Sequence, residues 1–359
     1  MALPLSLEVL PPNLRKHIDP TSPKPLRGMA AKGLVPMGPS QLCTSLFILA
    51  FDDDAEIAAQ ARTTVAGLPD RILAVALRDN GLEPQTLDFL AEALADKEPY
   101  LEFICLNTTA TDETVSRIAS RASAKLSDTI SQNQLRLLRH EPLLRALLAN
   151  ASATQATRDS VADFAVRSGV TLPDVPALVE AHRRIFGDAP PPEVPTAAEV
   201  ADEFQVAEGD EQAPMEEAKR RNLTQRVMIM TVSQKIKLAM LGNKEARTIL
   251  LRDSNKLVAM AAIQSPRITE GEVNMMAGNK VAQEDVLRFI YSSRDWLKFY
   301  AIKLALVKNP KVPLGIAMKF MGTLQEVDVR ELSKSKSVPG TIVNTARQML
   351  NKREVKDKK

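Results

Sequence analysis

The chain has 359 residues, 45% of them hydrophobic, 25% charged and only 4% aromatic, with a formal net charge of +3. That length predicts about two domains, each able to bury a core, and no apolar run approaches the roughly 18–20 residues of a membrane span. The two cysteines, Cys43 and Cys105, lie far apart without a CxxC, which excludes a disulfide framework and a zinc cage and makes a reducing, cytoplasmic location the expected one.

Residues 1–40 carry eight prolines, each removing a backbone donor and disfavouring helix just before it. They are expected to form an irregular Pro-rich arm that packs along the first helices or reaches for a partner. The opening Met-Ala-Leu-Pro-Leu-Ser has no basic n-region of a signal peptide. Residues 41–186 are expected to form an acidic helical module. Pro69-Asp70 predicts a helix over 71–77 burying Ile72, Leu73, Val75 and Ala76, and Thr86 is a cap for the next, which carries Leu87, Phe89, Leu90 and Leu94. Asp52, Asp53 and Asp54 with Glu56 lack the glycine and distal glutamate of a calcium loop and are read as a helix N-terminus.

Residues 187–218 hold ten acidic residues and no basic one, with Pro190, Pro191, Pro192 and Pro195 stiffening the first part. They are expected to be a disordered acidic linker, apart from a transient helix over 197–206. Residues 219–350 are expected to form a basic helical module and 351–359 a basic tail. Thr269 and Glu272 make a capping box before Val273, Met275 and Met276, with Gly278 as a left-handed stop. The apolar run 294–307 predicts one inner helix with Trp296, the only tryptophan, in the core. Pro313 and Pro339 stand at helix starts.

Charge follows these divisions. Residues 41–218 hold 14 Lys/Arg against 30 Asp/Glu, whereas 219–359 hold 28 against 12. Opposite signs on the two modules predict charge-driven association, within one molecule or head to tail.

Strand signals are nearly absent, so the predicted class is all-α. Asn107-Thr-Thr-Ala-Thr-Asp-Glu-Thr114 matches Asn150-Ala-Ser-Ala-Thr-Gln-Ala-Thr157 at four of eight positions. Ser265-Pro-Arg-Ile-Thr269 is echoed by Asn309-Pro-Lys-Val-Pro313, Arg252-Asp253 by Arg294-Asp295, and Gly242-Asn243-Lys244 by Gly278-Asn279-Lys280. A period of 36–44 residues with two helices per unit resembles HEAT-type and leucine-rich-variant-type α-solenoid repeats. The resemblance covers most of 41–185 and 219–350 and is generic. It implies two solenoid modules in which each helix pair is stabilised by its neighbours.

Catalytic signals are thin. His17, His140 and His182 have no ligand spacing, and no GxGxxG, GxxxxGK[ST] or GxSxG is present, so neither a metal nor another cofactor is expected. Some HEAT-like folds are alkylpurine DNA glycosylases, which pair an aspartate with stacking aromatics. Here only Asp295-Trp296 offers such a pair, and neighbouring helical positions point about 100° apart. The expected function is a non-enzymatic scaffold or adaptor that binds protein partners, acidic ones for the C-terminal module. The alternative is a nucleic-acid binder of low sequence specificity using the same basic module, an alternative weakened by the lack of interleaved aromatics. Turns at matching repeat positions carry Arg267, Lys308, Lys311, Lys334 and Lys336, which predicts a basic, partner-binding edge.

Overall fold

The structure, a computed structural model, describes residues 4–190, 193–208, 217–335 and 337–357. Among these residues every regular element is a helix. Two compact units form, one from 1–167 and 172–188, the other from 168–171 and 189–359.

The first unit begins with a short 3-10 turn, Leu7–Val9, then α1 (Pro12–Arg15), α2 (Lys24–Ala31), α3 (Pro39–Leu49), α4 (Ala55–Ala66), α5 (Asp70–Leu77) and α6 (Pro84–Ala93). It continues through α7 (Glu98–Leu106), α8 (Asp112–Ala119), α9 (Ala124–Ser131), α10 (Gln134–Arg139), α11 (Glu141–Ala149), α12 (Gln155–Arg167) and α13 (Pro176–Phe186). Proline opens many of these helices, at the first or second position of α3, α6, α7, α11 and α13, where its missing N–H costs nothing. Hydroxyl and carboxylate caps open others, with Asp54 accepting from Glu56 N–H, Thr111 from Thr114 N–H and Ser123 from Leu126 N–H. The main contacts of each helix are with those one to three places away in the chain.

The arm is more ordered than its prolines indicate. Leu10, Leu14, Ile18, Ala30 and Ala31 are buried, α2 packs on α3 and α4, and Arg27 pairs with the buried Asp52. Asp54 caps α4 as expected of a helix start. Thr86 is not the cap of α6: that helix starts at Pro84, and Thr86 lies buried in its first turn.

The second unit comprises α14 (Ala197–Glu208), α15 (Glu217–Ile229), α16 (Val232–Leu241), α17 (Lys244–Leu250), α18 (Lys256–Ile263), α19 (Glu270–Gly278) and α20 (Glu284–Ser292). A 3-10 turn, Trp296–Lys298, leads to α21 (Tyr300–Lys308), α22 (Leu314–Met321), α23 (Glu326–Leu332) and α24 (Gly340–Asp357). The capping box forms as read, Thr269 accepting from Glu272 N–H while the Glu272 carboxylate accepts from Thr269 N–H. Gly278 is the last residue of α19 and not a left-handed stop, since positive φ occurs only at Gly33, Gly169 and Gly187 among the described glycines. The expected helix over 294–307 is broken. Phe299 is extended and caps α21, so Trp296 sits half-exposed on the 3-10 turn instead of in the core.

Order also begins earlier in the acidic stretch than composition indicates. α14 packs on α16 with Ala197, Val200 and Ala201 buried, and Ala197 N–H donates to Gln234 Oε1 at 2.9 Å. Three small side chains on one face suffice because a tertiary partner is present, which composition does not register. Of the linker expected over 187–218, residues 191–192 and 209–216 lie outside the described residues. Val200 is fully buried, so Val200→Ala is expected to cost about 1.5 kcal/mol in the full chain, from two lost methyl groups. A urea titration reads this directly; an unchanged midpoint would mean that α14 adds no stability.

Candidate functional site

Three turns in the second unit share one construction. Asp253 follows α17, Asn279 follows α19 and Asn309 follows α21. In each, the side-chain Oδ1 accepts the backbone N–H two residues on: Asn255 at 2.8 Å, Val281 at 2.9 Å and Lys311 at 3.0 Å. Side chains join neighbouring turns. Gln283 Nε2 donates to the Asp253 and Ser254 carbonyls at 2.7 and 3.2 Å. The buried Asn309 Nδ2 donates to the Ala277 and Asn279 carbonyls at 2.8 and 3.0 Å. Lys311 Nζ donates to the Ala282 and Val281 carbonyls at 2.9 and 3.3 Å. These bonds satisfy carbonyls of the turns, with that of Ala277 in the last turn of α19, and they hold the turns side by side.

The resulting edge carries uncompensated positive charge. Arg252 and Lys280 are exposed, and neither has a carboxylate partner among the described residues. Lys311 bonds only neutral carbonyls, which leaves its charge in place. Lys308 differs, because its ammonium pairs with Glu331 at 2.9 Å. That pair brings the end of α23 to the same edge, where Lys334 is exposed three residues on. The one aspartate of the turns, Asp253, is already held by Lys235 at 2.8 Å. Between the first two turns lies a cleft of about 690 Å³, lined in part by Leu251, Met275, Val281 and Ala282. Val281 keeps 82% of its surface exposed. Chemically, the edge offers long cationic arms around an apolar cleft at the carbonyl ends of helices, where cations are favoured and acidic ligands are attracted.

Of the five residues singled out in the sequence, Lys308, Lys311 and Lys334 come together here, and Lys336 lies outside the described residues. Arg267 does not join them. It stands three residues before the start of α19 and donates to the Leu241 carbonyl at 3.2 Å, whereas Lys311 reaches the turn past the end of α19. The nine residues of α19 separate the two turns by about 13 Å. The Ser265/Asn309 echo therefore joins turns at opposite ends of a helix. The Gly-Asn-Lys echo fails likewise, since Asn243 caps the start of α17 while Asn279 closes α19. Arg252 and Lys280 were passed over as site residues although each adjoins the Asp or Asn of a turn; that adjacency is the signal that finds them.

Groups with catalytic potential are few. Burial pushes both thiols, Cys43 and Cys105, up to about 12, so neither is a nucleophile at neutral pH. Among the described residues no cluster of His, Cys, Asp and Glu has the geometry of a metal site, and no helix is long and apolar enough to cross a membrane. Asp295 is exposed and ion-paired with Lys298 at 2.6 Å, and the Trp296 ring leans toward Phe299 at 6.2 Å. No protein-family model, curated protein or solved structure matches the chain.

Proposed function

We propose that the chain is a non-enzymatic, α-helical repeat scaffold whose second unit docks an acidic protein through the edge built on Asp253, Asn279 and Asn309. One observation carries the reading: Arg252, Lys280 and Lys311 at neighbouring turns, with Lys334 beside them, have no carboxylate partner among the described residues. Helix-to-helix contacts made mainly with near neighbours along the chain support the repeat reading, because such an array exposes its turns as continuous edges. The exposed Val281 and the cleft beside it favour a protein surface over a phosphate backbone, which has no apolar group to place there.

The test uses the full chain as bait in cell extract, with and without nuclease, beside Arg252→Glu/Lys280→Glu/Lys334→Glu. Among the described residues these side chains make no hydrogen bond or ion pair, so the triple variant should melt like wild type, each change moving stability by under about 0.5 kcal/mol. A partner held by wild type should survive nuclease, elute by roughly 0.5–1 M salt and bind the variant more weakly through slower association. Loss of all captured protein on nuclease treatment would overturn the reading in favour of nucleic acid. Equal capture by the variant would remove the edge from it.

A further inference from the structure

The first unit carries a surface of opposite character. Phe47 lies in the last turn of α3, Phe51 two residues past its end and Phe89 on α6, their ring centroids 5.6 Å (Phe47–Phe51), 5.5 Å (Phe47–Phe89) and 6.3 Å (Phe51–Phe89) apart. Phe47 is buried beneath, while Phe51 stays 48% exposed. With Pro4 and Pro84 these rings line a groove of about 610 Å³.

Carboxylates stand around it. Asp88 and Glu92 come from α6 and Glu113 from α8. Arg117 is the only cation among the lining residues, and both Asp88 and Glu92 already bind it. Glu113 is exposed with no cationic partner among the described residues, and so is Asp53, two residues past Phe51. The balance at the groove is negative. Arg62 reaches over the Phe51 ring with its guanidinium carbon 5.9 Å from the centroid, so the open aromatic already meets a cation of the chain itself.

We propose that this groove docks a segment of a partner protein in which an apolar or aromatic residue is flanked by lysine or arginine. The rings desolvate the anchor, the usual source of affinity at a small interface, and the free carboxylates of Asp53 and Glu113 receive the flanking cations. An acidic segment would meet like charge instead, which sets the specificity. The inference is independent of the basic edge, since none of its residues belongs to the second unit.

The probe is a fluorescein-labelled Gly-Arg-Lys-Phe-Leu-Arg-Lys-Gly peptide, followed by anisotropy with the full chain. Two companions replace Phe-Leu by Gly-Gly, or every Arg and Lys by Glu. Saturable binding of the first peptide, weakened by about tenfold or more in either companion, is expected. Phe51→Ser and Glu113→Lys, both at exposed positions, should each weaken it similarly without changing the helical signal or the melting temperature, and Lys280→Glu should leave it unaltered. Equal binding of the Gly-Gly peptide would reduce the interaction to charge alone and overturn the proposal. Absence of saturation, or indifference to both variants, would do the same. Self-association of wild type that Phe51→Ser abolishes would assign the groove to a second copy of this chain, and so against the proposal.

Discussion

Glu272→Ala is expected to lower the stability of the second unit by about 3–5 kcal/mol, the range for removing one partner of a buried ion pair. Arg247 and Glu272 lie on α17 and α19, with side-chain exposures of 4% and 1%, and bond through two parallel contacts, Nε–Oε1 at 2.9 Å and Nη2–Oε2 at 3.0 Å. Glu272 Oε2 also accepts the Thr269 hydroxyl at 2.7 Å and its N–H at 2.9 Å. Without the carboxylate, the guanidinium stays buried with only the Gly242 carbonyl, at 3.1 Å, to receive a bond, and the first turn of α19 loses its capping box. Arg247→Met/Glu272→Leu should recover much of the loss, because it removes both charges and keeps the volume. Urea unfolding of the three proteins is the measurement. A double variant no better than the single one would show that the pair contributes net attraction beyond avoiding a stranded charge.

The same pair predicts a dependence on pH. Burial alone raises the Glu272 carboxyl, but the Arg247 and Thr269 bonds outweigh it and hold the group below its ordinary value of 4.5. The unfolded chain therefore takes up this proton at higher pH than the folded one. The stabilisation is complete above about pH 4.5 and is lost as pH falls through the folded value. Wild type should lose stability in that window more steeply than Glu272→Ala.

Asn150→Ala should cost about 3 kcal/mol in the first unit, from stranding buried acceptors at about 1–3 kcal/mol each. Asn150 is buried at the end of α11, and its Nδ2 donates to the Ala119 and Ala122 carbonyls at 2.9 and 2.8 Å, closing the end of α8. Its Oδ1 accepts Ser152 N–H at 2.9 Å and shapes the turn into α12. Asn150→Asp keeps that acceptor but cannot donate, and it sets a carboxylate against two carbonyl oxygens, so it should be at least as damaging. Asn107 does the same work for the end of α5, bonding the Leu77 carbonyl at 2.7 Å and that of Asp79 at 3.2 Å. If Asn150→Ala unfolds within 0.5 kcal/mol of wild type, these amides do not hold the layers together.

The matched octapeptides of the first unit mark how far the sequence reaches. Asn107 and Asn150 are both buried at helix ends, Thr111 and Thr154 both accept a capping N–H at 3.1 Å, and Thr114 and Thr157 both turn their hydroxyls onto aspartates, Asp88 and Asp128. The two threonine caps are local and can be read without coordinates, whereas the burial of the asparagines and the hydroxyl bonds to Asp88 and Asp128, 26 and 29 residues away, are tertiary. Their places are not equivalent, however. Asn107 precedes α8 and Asn150 closes its far end, so the eight residues of α8, about 12 Å, lie between them. The short α10, which hydrogen-bonds back to the Asn107 turn through Arg136 at 3.1 Å, is an additional helix that shifts the parity.

In the second unit the layers recur after 26 and 30 residues, at Asp253, Asn279 and Asn309, and not at the 36–44 of the sequence echoes. An all-helical chain, its capping box at Thr269 and Glu272 and its proline-initiated helices follow from the sequence by itself. Those outcomes rest on bonds spanning two to four residues. Which turns lie together, whether 197–208 finds a partner, and why Trp296 stays half-exposed were decided only by tertiary structure. Adjacency depends on how many helices intervene and where each apolar face meets another, and a stripe of apolar residues records that it must be covered without recording by what.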